Sequence, residues 1–176
     1  MAPEINISLS RTVRAAVIKS GLQRAFVNRV ARARDHKPRL VIVSPWITST
    51  GDANCSLAKL TQLITARRIP TFVFTRRPAK PEHLEAVQMF TPCKSVEIVY
   101  NDNIHAKIYA CIAPPPYGFG IMGSANMTAN SLSLYEIGLL VIGEGPGSAI
   151  VSDLANFGLQ FLRTRPESKL AKRISH

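Results

Sequence analysis

The chain has 176 residues, 46% of them apolar, and a net charge of +11. That length suits one domain with a real core, and no apolar run approaches the roughly 20 residues of a membrane-spanning helix. Excess positive charge of this size points to a polyanionic partner, because neutralising phosphates releases counterions; the competing reading is a solvated, solubilising face. The opening MAPEINISLSRTVR places Glu4 early and lacks an apolar h-region, so no secretory signal is expected. Cys55, Cys93 and Cys111 are odd in number, far apart and without metal or redox spacing. A reducing, cytoplasmic setting with free thiols, and no cofactor or metal, is therefore expected.

The charge is uneven. Residues 1–39 hold nine Lys/Arg against two acids (+7), and residues 163–176 hold five against one (+4). Residues 40–162 hold eight of each and sum to zero. One domain over 1–176 is expected, with a basic helical segment at 1–38, a core at 39–165 and a basic tail at 166–176. Residues 10–35 read as a helix, with Val13, Val17, Ile18, Leu22, Phe26, Val27 and Val30 at three- and four-residue steps and Gly21 as a possible interruption. Arg11, Arg14, Arg24, Arg29, Arg32 and Arg34 decorate it, and Arg29, Arg32 and Arg34 are candidate contacts to a nucleic-acid backbone.

RLVIVSPWI (39–47) reads as a strand buried on both faces and stopped by Pro45. A loop follows, then a helix over 55–67 ending in Arg67 and Arg68, and a second buried strand, TFVFTRR (71–77). PEHLEAVQMF (81–90) opens with Pro and acids, as a helix N-terminus should. SVEIVY (95–100) is a third strand, EIGLLVIG (136–143) another, and 147–164 a closing helix. Strand, helix, strand, helix, strand indicates an α/β fold: a mixed, mostly parallel β-sheet flanked by helices. Arg76 and Arg77, like Arg67 and Arg68, read as solvated ends of elements. Trp46 reads as core before ligand platform, and His36, His83 and His176 as packing or surface residues.

The chemistry concentrates in NIHAKIYACIAPPPYGFGIMGSANMT (103–128). Side chains alternate along a strand, so His105, Lys107, Tyr109 and Cys111 share one face of HAKIYACI. Tyr109 and Cys111, deeper along it, read as packing. A hairpin turning at 113–118 would set His105 opposite Asn126 and Lys107 opposite Ser124. Ammonium, imidazole, amide and hydroxyl groups without a carboxylate suit a tetrahedral oxyanion, above all phosphate, and do not suit a hard metal ion.

His105-Ala106-Lys107, Gly123-Ser124-Ala125-Asn126 and then Glu136 resemble the signature of the phospholipase D superfamily. The likeness is to its single-motif bacterial members: small non-specific endonucleases and the catalytic domains of metal-independent restriction endonucleases. It spans roughly 38–165, with the strong motif at 104–138. In the pattern H-x-K-x4-D, the Asp position is Ile112 here. The resemblance implies His105 as a nucleophile forming a phosphohistidine, and Lys107 and Asn126, helped by Ser124, holding phosphate oxygens. It implies Glu136 as the acceptor from the second ring nitrogen of His105. It also implies a homodimer whose two-fold axis supplies a second His105 as general acid, and a nucleic-acid substrate, DNA before RNA. The rivals are a lipid phosphodiesterase or phosphatidyl transferase of the same fold, and a catalytically silent nucleic-acid-binding module. Against the lipid enzyme stands the lack of a membrane-binding amphipathic stretch.

Overall fold

Strands that are apolar on both sides must be covered on both sides, and that requirement sets the architecture. The computed structural model describes residues 13–19, 21–49, 56–129 and 136–174. Arg11, Cys55, Tyr135, His176 and the start of the expected first helix lie outside them. The elements are β1 (Ala15–Lys19), α1 (Leu22–Ala33), β2 (Arg39–Val43), α2 (Leu57–Arg67), β3 (Thr71–Thr75), α3 (Pro81–Gln88) and β4 (Val96–Tyr100). There follow β5 (Ile108–Ile112), β6 (Phe119–Gly123), β7 (Ile137–Ile142), α4 (Pro146–Asn156) and β8 (Lys169–Lys172). The helix of α4 continues as a wider π-type turn over Phe157–Leu162.

The strands form one sheet in the order β1-β7-β6-β5-β2-β3-β4-β8. Leu40, Ile42, Tyr109, Phe119 and Ile121 pack with Leu22, Phe26, Leu60 and Ile64 of α1 and α2 on one face. Val41, Val43, Phe74, Ile108 and Ala110 pack with Ala155 and Leu162 on the other. The central β2 is buried through Leu40–Val43, as its unbroken apolar run requires.

Among the described strands, β2–β3 and β3–β4 pair parallel and the other five pairings are antiparallel. The expectation of a mostly parallel sheet is corrected on this point. The two strand–helix–strand units give parallel pairs, but the 108–142 hairpins and both edge strands close antiparallel.

Residues 15–19 are a strand, not the start of a helix. Gly21 takes φ +69°, a left-handed conformation that ends the strand and caps α1. β1 then satisfies the open edge of β7, with Val17 opposite Leu139. The helix proper buries Leu22, Phe26, Val27, Val30 and Ala33, at helical spacing. α2 starts at Ser56, whose side chain accepts from the Lys59 amide at 3.1 Å, a normal N-cap. Part of the C-terminal basic block is internal structure. Arg163 pairs with the buried Glu97 at 3.1 Å, and Lys172 Nζ donates to the Cys93 and Val96 carbonyls at 2.6 and 2.8 Å.

One contact decides where β6 ends. Gly123 lies opposite Gly138, and a Cβ on Gly123 would sit 2.3 Å from the Ile137 carbonyl and 2.8 Å from both Gly138 Cα and Leu22 Cδ2. Backbone cannot yield as a flexible side chain can. Gly123→Ala should therefore destabilise the fold by about 1–3 kcal/mol, read as a lower urea midpoint. Gly21→Ala, with open space around it, should cost about 1 kcal/mol from backbone strain alone. Equal midpoints for Gly123→Ala and wild type would contradict the packing described.

Candidate active site

The β5 ladder with β2 runs from Ile112 to Ile108, where Ile108 pairs with Val43. Beyond Val43, Pro45 has no amide hydrogen to offer and β2 leaves the sheet. Residues 105–107 therefore precede β5 and are not part of the strand, although the sequence suggests they are. His105 is exposed and Lys107 half-buried. Lys107 Nζ donates to the His105 carbonyl at 2.9 Å and lies 3.4 Å from His105 Nδ1.

The hairpin register differs by one residue from that expected. Ile108 pairs with Met122 and the Gly123 amide donates to the Lys107 carbonyl at 3.2 Å, so Lys107 faces Gly123 rather than Ser124. The strand count through the turn was one residue out. His105 lies beyond the paired residues of this hairpin, so the ladder does not set it opposite Asn126. Ser124 still reaches the site, because the chain turns there. Its hydroxyl donates to the Glu136 carboxylate and accepts from the Ile137 amide at 3.1 Å. Glu136 thus meets Ser124, not His105. His105, Lys107 and Ser124 line one cleft of about 650 Å³, together with Val17, Met122, Ile137 and Leu139. Those four apolar side chains are 40–60% exposed.

Asn126 is positioned by backbone. Gln23, buried on α1, donates its amide to the Asn126 and Thr128 carbonyls at 2.8 Å each. The buried Tyr109 hydroxyl donates to the Ala125 carbonyl at 2.7 Å. Ser44 Oγ accepts from the Met127 amide at 2.9 Å, and Thr48 Oγ1 from the Ala129 amide at 2.8 Å. Burial, more than any nearby charge, holds the Tyr109 phenol well above its usual pKa, so it stays a donor. The Asn126 Oδ1 is buried without a partner among the described residues, an orphan acceptor on a segment whose carbonyls are held from the core. Cys111, on the same face as Tyr109, has its thiol pushed up to about 12 by burial, and is packing as expected.

Three residues that sequence reasoning undervalued adjoin this end. Arg76 donates from Nε to the Ile104 carbonyl at 2.8 Å, one residue before His105, and lies over the Trp46 ring at 5.4 Å. Trp46 in turn stacks on His83 with centroids 4.7 Å apart. Arg76 is therefore a brace, not a solvated end, while Arg77 pairs with Asp102 at 3.1 Å.

The three arginines expected to hold substrate are separated. Arg29 and Arg32 line a second concavity away from His105. Arg34 interacts with Asp35 at 3.4 Å, and Asp35 also meets Arg67 at 3.5 Å. Among the described residues, no group of three His, Cys, Asp or Glu gathers to hold a metal, and no helix is long and apolar enough to cross a membrane.

No family model matches the chain, and no curated protein matches it significantly. Solved structures do. Nuc, a phospholipase D family member from Salmonella typhimurium, superposes with a TM-score of 0.61 at 11% identity, over 92% of this chain and 100% of its own. NucT from Helicobacter pylori gives 0.55 at 11% identity, over 85% of this chain and 97% of its own. The polyphosphate kinase of Porphyromonas gingivalis gives 0.62 at 15% identity, over 92% of this chain but 27% of its own.

The buried hydrogen bonds that brace residues 125–128 predict a loss of stability when either donor is removed. Tyr109→Phe leaves the Ala125 carbonyl without its buried donor and should cost about 1–3 kcal/mol of stability. Gln23→Leu, which orphans two carbonyls, should cost at least as much. Chemical denaturation of both variants measures this. Wild-type stability in each would mean that the 125–128 segment is held by something else.

Proposed function

Starting from a chain that folds as phospholipase D superfamily members do, we propose that it is a metal-independent phosphodiesterase. Its substrate is nucleic acid, it cuts as an endonuclease with DNA before RNA, and it works as a homodimer. The observation that carries this reading is the convergence of His105, Lys107 and Ser124 on one cleft, with Glu136 bound to Ser124. These groups offer a nucleophile and oxyanion donors.

In this reading an unprotonated ring nitrogen of His105 attacks phosphorus. An N–P bond forms and the ester O–P bond breaks. The Lys107 ammonium, which lies beside the ring here, turns to a phosphate oxygen as charge builds. The Asn126 amide completes the cradle, and in the substrate-bound state the Ser124 hydroxyl turns its one proton from Glu136 to a phosphate oxygen. Glu136, released from Ser124, then takes the ring N–H of His105, as a triad carboxylate does. The leaving oxygen needs a proton, and the partner subunit's His105 supplies it. Water then attacks the phosphohistidine, with that second imidazole as base. Arg29 and Arg32 contact the strand away from the scissile phosphate; Arg34, engaged with Asp35, contributes long-range charge only.

The exposed patch of Val17, Met122, Ile137 and Leu139 supports the dimer. It borders the cleft, so a second copy seated there would bury the patch and bring two H-x-K segments together.

Plasmid DNA in excess EDTA should be nicked by the wild type and left intact by His105→Ala. Retardation without nicking would indicate a binding module, and phospholipid turnover a lipid enzyme. Ile137→Asp should convert the dimer to monomer in sedimentation and lower cleavage by at least tenfold while the monomer stays folded. A fully active Ile137→Asp monomer would end the dimer part of the proposal.

A further inference from the structure

A second concavity, of about 420 Å³, lies between α1 and the β1–β7–β6 edge. It sits at the far end of the strands from His105: Phe119, where β6 begins, lines it, whereas Gly123, where β6 ends, lines the active-site cleft. Four strand rises separate those positions, about 14 Å. A group bound in one is not the group bound in the other.

Arg14, Arg29 and Arg32 converge on this concavity. The Arg14–Glu144 pair, at 3.7 Å between exposed side chains, neutralises little. Among the described residues, no ion pair joins an acid to Arg29 or Arg32. Partial burial, then repulsion from Arg32 and Arg14, lowers the pKa of Arg29, so the guanidiniums feel one another. The Arg29 guanidinium lies 5.9 Å from the Phe119 ring centroid, which orients it. At the rim Tyr117 stacks on His36, with centroids 3.6 Å apart, forming a flat aromatic wall.

Three like charges in one concavity are a standing repulsion that an anion would relieve. A phosphate presents its free oxygens tetrahedrally to planar forks, three on a terminal monoester and two beside the bridging oxygens of a strand, whereas a carboxylate offers two in one plane. The volume exceeds what a bare phosphate needs and lies within the range of small-ligand sites. The aromatic wall suits a planar group attached to that phosphate.

We propose that this concavity is a second phosphate site, binding a nucleotide phosphate on Arg14, Arg29 and Arg32 with the sugar and base toward Tyr117. The nucleotide is either part of a strand running on from the cleft, a form that rests on the nuclease reading, or a free mononucleotide. Neither form uses His105 chemistry.

The test uses full-length His105→Ala protein, so that nothing is cut. A labelled twelve-nucleotide thymidine strand is titrated by anisotropy, and 5′-AMP by calorimetry. Variants Arg32→Gln and Arg29→Lys are compared with Lys94→Gln, an exposed charge distant in sequence from this concavity, and each is checked for folding by thermal melting. If the natural ligand is a strand, Arg32→Gln weakens the oligonucleotide at least fivefold. It also flattens the log–log salt dependence by about one unit. Arg29→Lys, which keeps charge but loses the fork, weakens it less. If the ligand is a free nucleotide, the same ordering appears with 5′-AMP instead. If Arg32→Gln matches Lys94→Gln with both probes, the site does not exist. Arg32-dependent binding by a wild-type protein that never cuts would keep this site and end the nuclease reading. Cutting with no Arg32 dependence would do the reverse.

Discussion

The buried polar brace under residues 125–128 is the constraint on which the site depends. Tyr109, Gln23 and Ser44 come from a strand, a helix and the end of another strand, and all three bond the backbone of one short segment. Each of these groups would be costly to bury unpaired, so the segment and its three supports are satisfied together or not at all. The brace carries Asn126 on a fixed backbone, while the Gly123–Gly138 contact fixes where Ser124 leaves the sheet. Ser124 and Asn126 are thereby held at a sheet end, while His105 itself lies on chain outside any ladder.

The basic charge divides into distinct uses. Arg163 and Lys172 stitch the C-terminal segment to β4 and its approach, with β8 completing that edge of the sheet. Arg76 braces the residue before His105. Arg34 and Arg67 share Asp35. What remains concentrated and poorly compensated is the group of Arg14, Arg29 and Arg32. A charge count along the chain could not separate these, because whether a guanidinium meets a carboxylate is settled by partners far away in sequence.

The buried strands and the helices over 57–67 and 81–88 were legible because their patterns are local: unbroken β-branched runs, paired arginines at the end of one helix, a proline at the first turn of the other. The motif residues were legible for another reason, their chemistry at close spacing. Four features were not. Val13, Val17 and Ile18 fit a helical stripe, yet Gly21 and the open edge of β7 drew residues 15–19 into the sheet, a tertiary outcome overriding a local period. The hairpin register slipped by one because the 113–118 turn fixes the pairing, and its length could be read only approximately. Strand direction in the second half depended on hairpin closure. The brace residues carried no signal at all: Tyr109 and Gln23 look like ordinary core and helix positions until the fold places them under residues 125–128.

The proposed mechanism needs two imidazoles, and one chain offers a single H-x-K segment, in a cleft bordered by exposed Val17, Met122, Ile137 and Leu139; in that mechanism a second copy completes the site. Two differently tagged subunits, one wild type and one His105→Ala, can be co-expressed and the mixed dimer purified and assayed on plasmid DNA. With one imidazole left for two roles, the mixed dimer should turn over at a few per cent of the wild-type rate or less. Retention of about half the wild-type activity would mean that each subunit works alone, and the shared site would be contradicted.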